Sequence, residues 1–226
     1  MTAAYHRVIA IDGPAASGKS SVAQQLAQRL GFVYVNSGAM YRAVTWHVIE
    51  RGIDPGDPAA VARLIENTRL DCDLVENGSR ILIEDADVSA HLRDVRVNRE
   101  VSPVSSVPRV RELLVAKMRA YALEHDVVME GRDIGSAVFP GTPYKFYVDA
   151  SPEIRSRRRA AQGQTDQIAQ RDHADSSRQA SPLTIAPDAV VIDSSALSIA
   201  EVVDQIMQRL ASGGLQFPPP RASFIP

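Results

Sequence analysis

Gly13-Pro14-Ala15-Ala16-Ser17-Gly18-Lys19-Ser20 sets two glycines, a lysine and a hydroxyl at the spacing G-x-x-x-x-G-K-[ST], the pattern of a phosphate-binding loop. Glycine lets the backbone turn so that successive N–H groups point at one centre, which makes a nest for an anion. A helix that starts where the loop ends adds its own free N–H groups and the positive end of its dipole. Lys19 then reaches the outer phosphates of a nucleoside triphosphate, and Ser20 offers its hydroxyl to Mg²⁺. Ser21 carries the set into the helix. The chain has 22 Arg and only three Lys: Lys19, Lys117 and Lys145. Genome composition is one source of such a bias. A need for the compact ammonium, which Arg cannot supply, is the other.

The loop needs a strand before it and a helix after it, and the sequence supplies both. RVIAID (7–12) is a β-branched run, and SSVAQQLAQRL (20–30) places Val22, Leu26 and Leu30 at helical spacing before a stop at Gly31. FVYV (32–35), VVME (127–130), YKFYVD (144–149) and AVVID (189–193) read as further buried strands. Helices are expected over 38–51, 59–66, 109–125, from Ser151 onward, and over 198–210. Strands alternating with helices predict an α/β fold, a three-layer doubly wound five-stranded parallel sheet. The breaker cluster Asp54-Pro55-Gly56-Asp57-Pro58 opens an insertion over about 54–100, with small strands at 70–75 and 80–84 around a turn at 76–79. The domain plan is therefore a single unit with core 5–53, 107–159 and 187–212. A polar, poorly periodic stretch at 162–186 reads as a mobile loop, a short lid is expected over about 160–180, and a tail follows at 213–226.

A phosphate loop alone names only a nucleoside triphosphate. A guanine-reading N-K-x-D is missing, which argues against a GTPase switch, and no apolar strand ends in Asp-Glu, which argues against a motor ATPase. With 226 residues and a net charge of −2, the chain suits a kinase of small metabolites better than a nucleic-acid binder. Hydrophobic residues at 45% are enough to build a core. No run approaches the roughly 20 apolar residues of a membrane span, no leader pattern is visible, and the lone Cys72 forms no internal disulfide. A cytoplasmic monomer, with no nucleic-acid or membrane partner, is the expectation. A phosphorylated acceptor needs arginine forks, for which Arg42, Arg109, Arg111, Arg132, Arg171 and Arg178 are candidates. Asp149 ends a strand, where it either touches Mg²⁺ through water or serves helix entry. The five His read as surface or packing, Trp46 as core, and Cys72 as a small buried hydrophobe.

IDGPAASGKSS, NSGAMYR (36–42), PRVRELL (108–114), EGRDIGSAVFP (130–140), KFYVDASPEIRSRRR (145–159), QRDHADSSR (170–178) and AVVIDSSALSIAEVV (189–203) run in order over about 7–210. Together they resemble the bacterial cytidylate kinases. The resemblance implies transfer of the γ-phosphoryl group of ATP to CMP or dCMP. It also implies a P-loop kinase core, an inserted lobe for the nucleoside monophosphate, and a closing lid. It places Gly13 to Ser21 on the ATP phosphates, and Ser37, Tyr41 and Arg42 on the acceptor. Arg132 and Arg171 complete the phosphate clamp, Asp175 and Arg178 hold the ribose and base edge, and Ser102, Arg111 and Asp133 read cytosine. Lys19, Arg132, Arg158 and Arg171 are the catalytic set. The segment between the arginine cluster and QRD is shorter than the family pattern, which leaves the shape of the lid open.

The base assignment agrees with elementary chemistry. Cytosine shows a donor at N4 and acceptors at N3 and O2, so a carboxylate at N4 and a guanidinium at O2 or N3 suit it, whereas uracil reverses the edge. A phosphate monoester dianion is already nucleophilic, so no general base is required. Two other readings stay open at this stage: a kinase of UMP or a non-nucleotide acid, and a regulatory module that binds ATP without turnover.

Overall fold

The computed structural model describes residues 5–75, 78–161, 163, 172, 175–177 and 182–215, with backbone alone at 72–75, 78 and 79. Arg171, Arg178, most of the expected lid, the Cys72 side chain and the tail beyond 215 lie outside the described residues.

Strand β1 (Val8–Asp12) is buried at every position. A continuous apolar run of this kind suits a parallel strand covered on both faces. Its side chains alternate: Val8 and Ala10 join one apolar layer, Ile9 and Ile11 the other. Strands β2 (Val33–Asn36), β6 (Val127–Gly131), β7 (Tyr144–Asp149) and β8 (Val190–Asp193) complete a sheet in the order β2-β6-β1-β7-β8. Every pairing in it is parallel. The expected three-layer α/β sheet is therefore what the chain forms.

One layer holds helices α1 (Lys19–Leu30) and α7 (Ile199–Ser212). Gly31 closes α1 at φ 68, a left-handed position that glycine takes without strain. Ser198 and Glu201 start α7 with a reciprocal capping box. The other layer holds α2 (Ser37–Glu50), α3 (Pro58–Glu66), α4 (Val95–Ser106) and α5 (Pro108–Glu124). Helix α6 (Pro152–Ala161) follows β7.

The 54–100 segment forms its own antiparallel sheet of β3 (Leu70–Val75), β4 (Gly78–Ile83) and β5 (Ala86–Asp87). Leu70, Ile81 and Ile83 nevertheless join the α2/α5 core layer. Strand β4 begins inside the expected turn at 76–79, because Val75 pairs with Gly78. Helix α4 is a correction to the sequence reading, which places no helix at 95–106. Its composition hides it, with Pro103 in the interior and no side-chain cap, yet Val97, Val101 and Val104 recur on one buried face. Trp46 is only partly buried and stacks on His91, with ring centroids 5.2 Å apart. Among the described residues no helix is long and apolar enough to cross a membrane.

Leu114 on α5 is fully buried in the larger core layer. Leu114→Ala is expected to lower unfolding free energy by roughly 2–5 kcal/mol, read as a shift of the urea midpoint with little change in slope.

Candidate active site

The carboxyl ends of the parallel strands surround a cavity of about 490 Å³. The loop 13–18 forms one wall. Gly13 sits at φ 155, and a Cβ built there would lie 2.1 Å from the Val148 carbonyl oxygen, so only glycine lets β7 approach the loop. Gly18, at φ 92, caps α1, whose first residues line the cavity and whose first N–H groups have no partner within the helix. The Ser17 hydroxyl is buried and has no hydrogen-bond partner among the described residues. A donor left over inside such a loop suits a phosphate oxygen.

Lys19 is buried; its Nζ donates to the Pro14 carbonyl at 3.0 Å and lies 4.0 Å from Glu130 Oε2. Ser20 Oγ donates to Glu130 Oε1 at 2.8 Å. Its lone pairs are thus available to a cation. No group of three or more His, Cys, Asp or Glu able to hold a metal exists among the described residues. A magnesium ion here would be shared between the hydroxyl, phosphate oxygens and water, which is the usual habit of Mg²⁺.

Helix α2 forms part of the facing wall. Asn36 caps it by accepting from the Ala39 N–H at 2.9 Å, and Ser37 Oγ donates to the Glu130 carbonyl at 2.8 Å. Ser37 lines the cavity one turn before the adjacent pair Tyr41 and Arg42. Arg42 Nη1 donates to the Gly38 carbonyl at 2.8 Å and Nε to Asn98 Oδ1 at 3.4 Å. After β6, Arg132 Nε donates to the buried Asp175 carboxylate at 2.7 Å. Asp133 forms a buried ion pair with Arg111 of α5, whose guanidinium carbon lies 5.8 Å from the Tyr41 ring centroid.

Of the residues singled out in the sequence, those at 15–21 together with Ser37, Tyr41, Arg42, Arg132, Asp133, Arg158 and Asp175 line one cavity. Gly13 and Pro14 shape the loop behind it. Arg111 stands behind Asp133 and outside the lining. Ser102 is also outside it; Val101 and Ser105, on the inward face of α4, stand there instead. Arg109 is a surface residue paired with Glu66 and Glu112, each at 3.2 Å, because its position on α5 faces solvent. Arg158, expected to reach in from the lid side, stands on α6. It braces the loop by donating to the Ser17 carbonyl at 3.0 Å and the Ser194 carbonyl at 2.7 Å. Asp149 Oδ1 accepts the Ala150 N–H at 2.8 Å, a bond that serves the entry to α6.

Several residues escape the sequence reading. Glu130 is one. Arg155 and Asp172 form an ion pair beside the loop, where Arg155 donates to the Ala15 carbonyl at 3.3 Å and Asp172 accepts the Ala15 N–H at 3.4 Å. Ser194 reaches the loop from the turn after β8. Only Glu130 leaves a sequence signal, a lone acid ending an apolar strand. Tyr34 donates to Glu130 at 3.4 Å and accepts from Asn36 at 3.1 Å; burial and the nearby carboxylate keep its phenol protonated well above the ordinary range.

A doubly wound sheet with a phosphate loop after its first strand, facing an arginine-lined wall, defines the P-loop kinase class. The family model described as cytidylate kinase matches residues 9–212. The chain belongs to the cytidylate kinase family. It is 40% identical over 213 residues to the cytidylate kinase of Oceanobacillus iheyensis, covering 89% of this chain and 93% of that one. Against the cytidylate kinase of Mycobacterium avium the identity is 44% over 211 residues, covering 88% and 92%. Among solved structures, that of TT1252 from Thermus thermophilus aligns with a TM-score of 0.49 at 18% identity, over 93% of this chain and 98% of that one.

Asp12 ties the site together. Its carboxylate accepts the Ile134 and Gly135 N–H groups at 2.8 and 2.7 Å. Burial pushes its carboxyl up from 3.8 to about 6, although those two bonds pull the other way. The folded chain therefore keeps a proton that the unfolded chain has already released. Stability from this source is full below the ordinary carboxyl range and is lost as pH rises through about 6. Between pH 4 and 7.5, wild-type stability is expected to fall relative to Asp12→Asn by an amount on the order of 2–3 kcal/mol, measured by urea unfolding. A constant difference across that range would contradict the assignment.

Proposed function

We propose that the chain transfers the γ-phosphoryl group of ATP to CMP or dCMP, giving ADP and CDP or dCDP. One observation carries this reading: a single cavity has the phosphate loop on one side and Arg42, Arg132 and Asp133 on the other. Two anions bound there meet end to end.

The loop amides, Lys19 and the head of α1 hold the β- and γ-phosphates. Arg42 and Arg132, with Arg171, clamp the acceptor phosphate. Asp133 accepts from cytosine N4, and Arg111 behind it donates toward O2 or N3; Ser102, Asp175 and Arg178 complete the base and ribose contacts. An acceptor phosphate oxygen forms a bond to the γ-phosphorus as the bond to the β,γ-bridging oxygen breaks in line. Charge spread over the moving oxygens is met by Lys19, Arg132 and Arg158. Ser20 would hold Mg²⁺, which would supply charge neutralisation on the triphosphate. Action as a monomer in the cytoplasm is part of the proposal.

The test is ADP formation from Mg-ATP with CMP, dCMP, UMP, AMP, GMP or shikimate as single acceptors. CMP and dCMP are expected to turn over fast, with UMP well behind. Best turnover on UMP would overturn the roles of Asp133 and Arg111, and no turnover on any acceptor would overturn the kinase reading. Asp133→Asn is expected to lower kcat/KM for CMP by roughly 10- to 100-fold while narrowing the CMP-to-UMP ratio. Arg132→Lys, which loses the fork, is expected to raise KM for CMP about tenfold or more and KM for ATP much less.

A further inference from the structure

Asp133, the acid assigned to cytosine N4, stands at the head of a single wide helical turn, Ile134–Val138. In this turn the Val138 and Phe139 N–H groups donate five residues back, to the Asp133 and Ile134 carbonyls at 3.1 and 2.7 Å. An aspartate at such a head ordinarily folds back to accept a free N–H of the first turn. Asp133 makes no such bond. Its carboxylate pairs with Arg111 instead. The free N–H groups go to Asp12, the last residue of β1. Its Oδ1 accepts from Ile134 at 2.8 Å and its Oδ2 from Gly135 at 2.7 Å. These two donors offset part of the cost of burying the Asp12 carboxylate.

The far end of the turn is held separately, where Arg119 Nε donates to the Val138 carbonyl at 3.0 Å. Gly135 is held between β1 and β7: a Cβ built there would lie 3.4 Å from Asp12 Oδ2 and 3.1 Å from Lys145 Cγ. Ile134 and Gly135 are buried, so their N–H groups must find acceptors within the protein. Two carboxylates compete for them, Asp12 from the neighbouring strand and Asp133 from the head of the turn. While Asp12 takes both N–H groups, both Asp133 oxygens remain for Arg111 and a base edge.

We propose that Asp12 is a positioning residue for acceptor selectivity: it caps the turn in place of Asp133 and so leaves the Asp133 carboxylate free to read the base. The proposal rests on the reading of Asp133 as the acid that meets cytosine N4. It predicts effects that separate the two halves of the site. Asp12→Asn keeps the shape and one acceptor but sets an NH₂ group against one of the two backbone N–H groups. Asp133 then turns back to accept that N–H, and discrimination between CMP and UMP falls. The donor half is spared. Its loop is braced by Arg155 on the Ala15 carbonyl and by Arg158 and Ser194 on the Ser17 carbonyl, whereas the Asp12 carboxylate bonds the turn.

The experiment compares kcat/KM for CMP and for UMP at saturating Mg-ATP, with the Kd of ATP read by calorimetric titration of the same whole protein. In Asp12→Asn the CMP-to-UMP ratio of kcat/KM is expected to fall about tenfold, as befits displacement of a group that reads substrate, with the Kd of ATP little changed. A purely structural role would weaken ATP and both acceptors together and leave the ratio unchanged, and that result would overturn the proposal. In an Asp133→Asn background the same substitution should lower the ratio little further; a full second decrease would mean that Asp12 does not act through Asp133. Arg119→Met loosens the far end of the same turn without touching its cap. A fall in the ratio as large as that of Asp12→Asn would make looseness alone the cause and overturn the proposal. Asp12→Ala gives a second reading that does not depend on how Asp12→Asn folds: Asp133 is then the one carboxylate left to cap the turn, and the ratio is expected to fall at least as far. No preference for CMP over UMP in the unaltered protein would instead overturn the reading of Asp133, and the proposal with it.

Discussion

Strands β1 and β6 pair in parallel so that Ile11 lies beside Glu130 and Asp12 beside Gly131. The phosphate loop leaves the first strand and the EGRD segment leaves the second, so both start from the same edge of the sheet. Asp12 then bonds the N–H groups of Ile134 and Gly135, which holds the second segment against the end of the first strand. A slip of β6 by one residue would turn Glu130 to the opposite face of the sheet. The cavity, its loop wall and its arginine wall all depend on this register.

Four cations in or just behind the cavity wall each have a carboxylate partner. Lys19 stands by Glu130, Arg111 by Asp133, Arg132 by Asp175, and Arg155 by Asp172. An unpaired buried cation would be strongly destabilising. Glu130 and Asp175 keep Lys19 and Arg132 in place at the wall that an anionic ligand approaches, so binding a phosphate exchanges one anion for another. This preorganisation is what electrostatic stabilisation of phosphoryl transfer requires. The net charge of −2 conceals it, because the positive wall is local and its counter-charges are buried beside it.

The phosphate loop and the five strands are legible in the sequence for a physical reason: each is specified by neighbours in the chain. Glycines at fixed offsets, a lysine after the second and an apolar run before the first are all local signals. What joins distant residues is not local. Arg111 and Asp133 meet across 22 positions, and Arg158 and Ser194 across 36. Their roles are read from the family resemblance or not at all. Glu130 carries a faint signal, an acid at the end of VVM, but its place beside Ser20 and Lys19 depends on the register with β1. Helix α4 is hidden by Pro103 and by a polar composition; Ser102 on it comes from the family resemblance alone, and its neighbours Val101 and Ser105 line the cavity.

The central claim is that donor and acceptor nucleotides occupy the two walls of one cavity at the same time. A bisubstrate analogue, adenosine and cytidine joined 5′ to 5′ through five phosphates, tests it most directly by isothermal titration with Mg²⁺. One analogue per chain should bind, more tightly than either ATP or CMP alone, and saturating ATP or saturating CMP should each weaken it. Binding no tighter than ATP, with CMP unable to compete, would contradict the account.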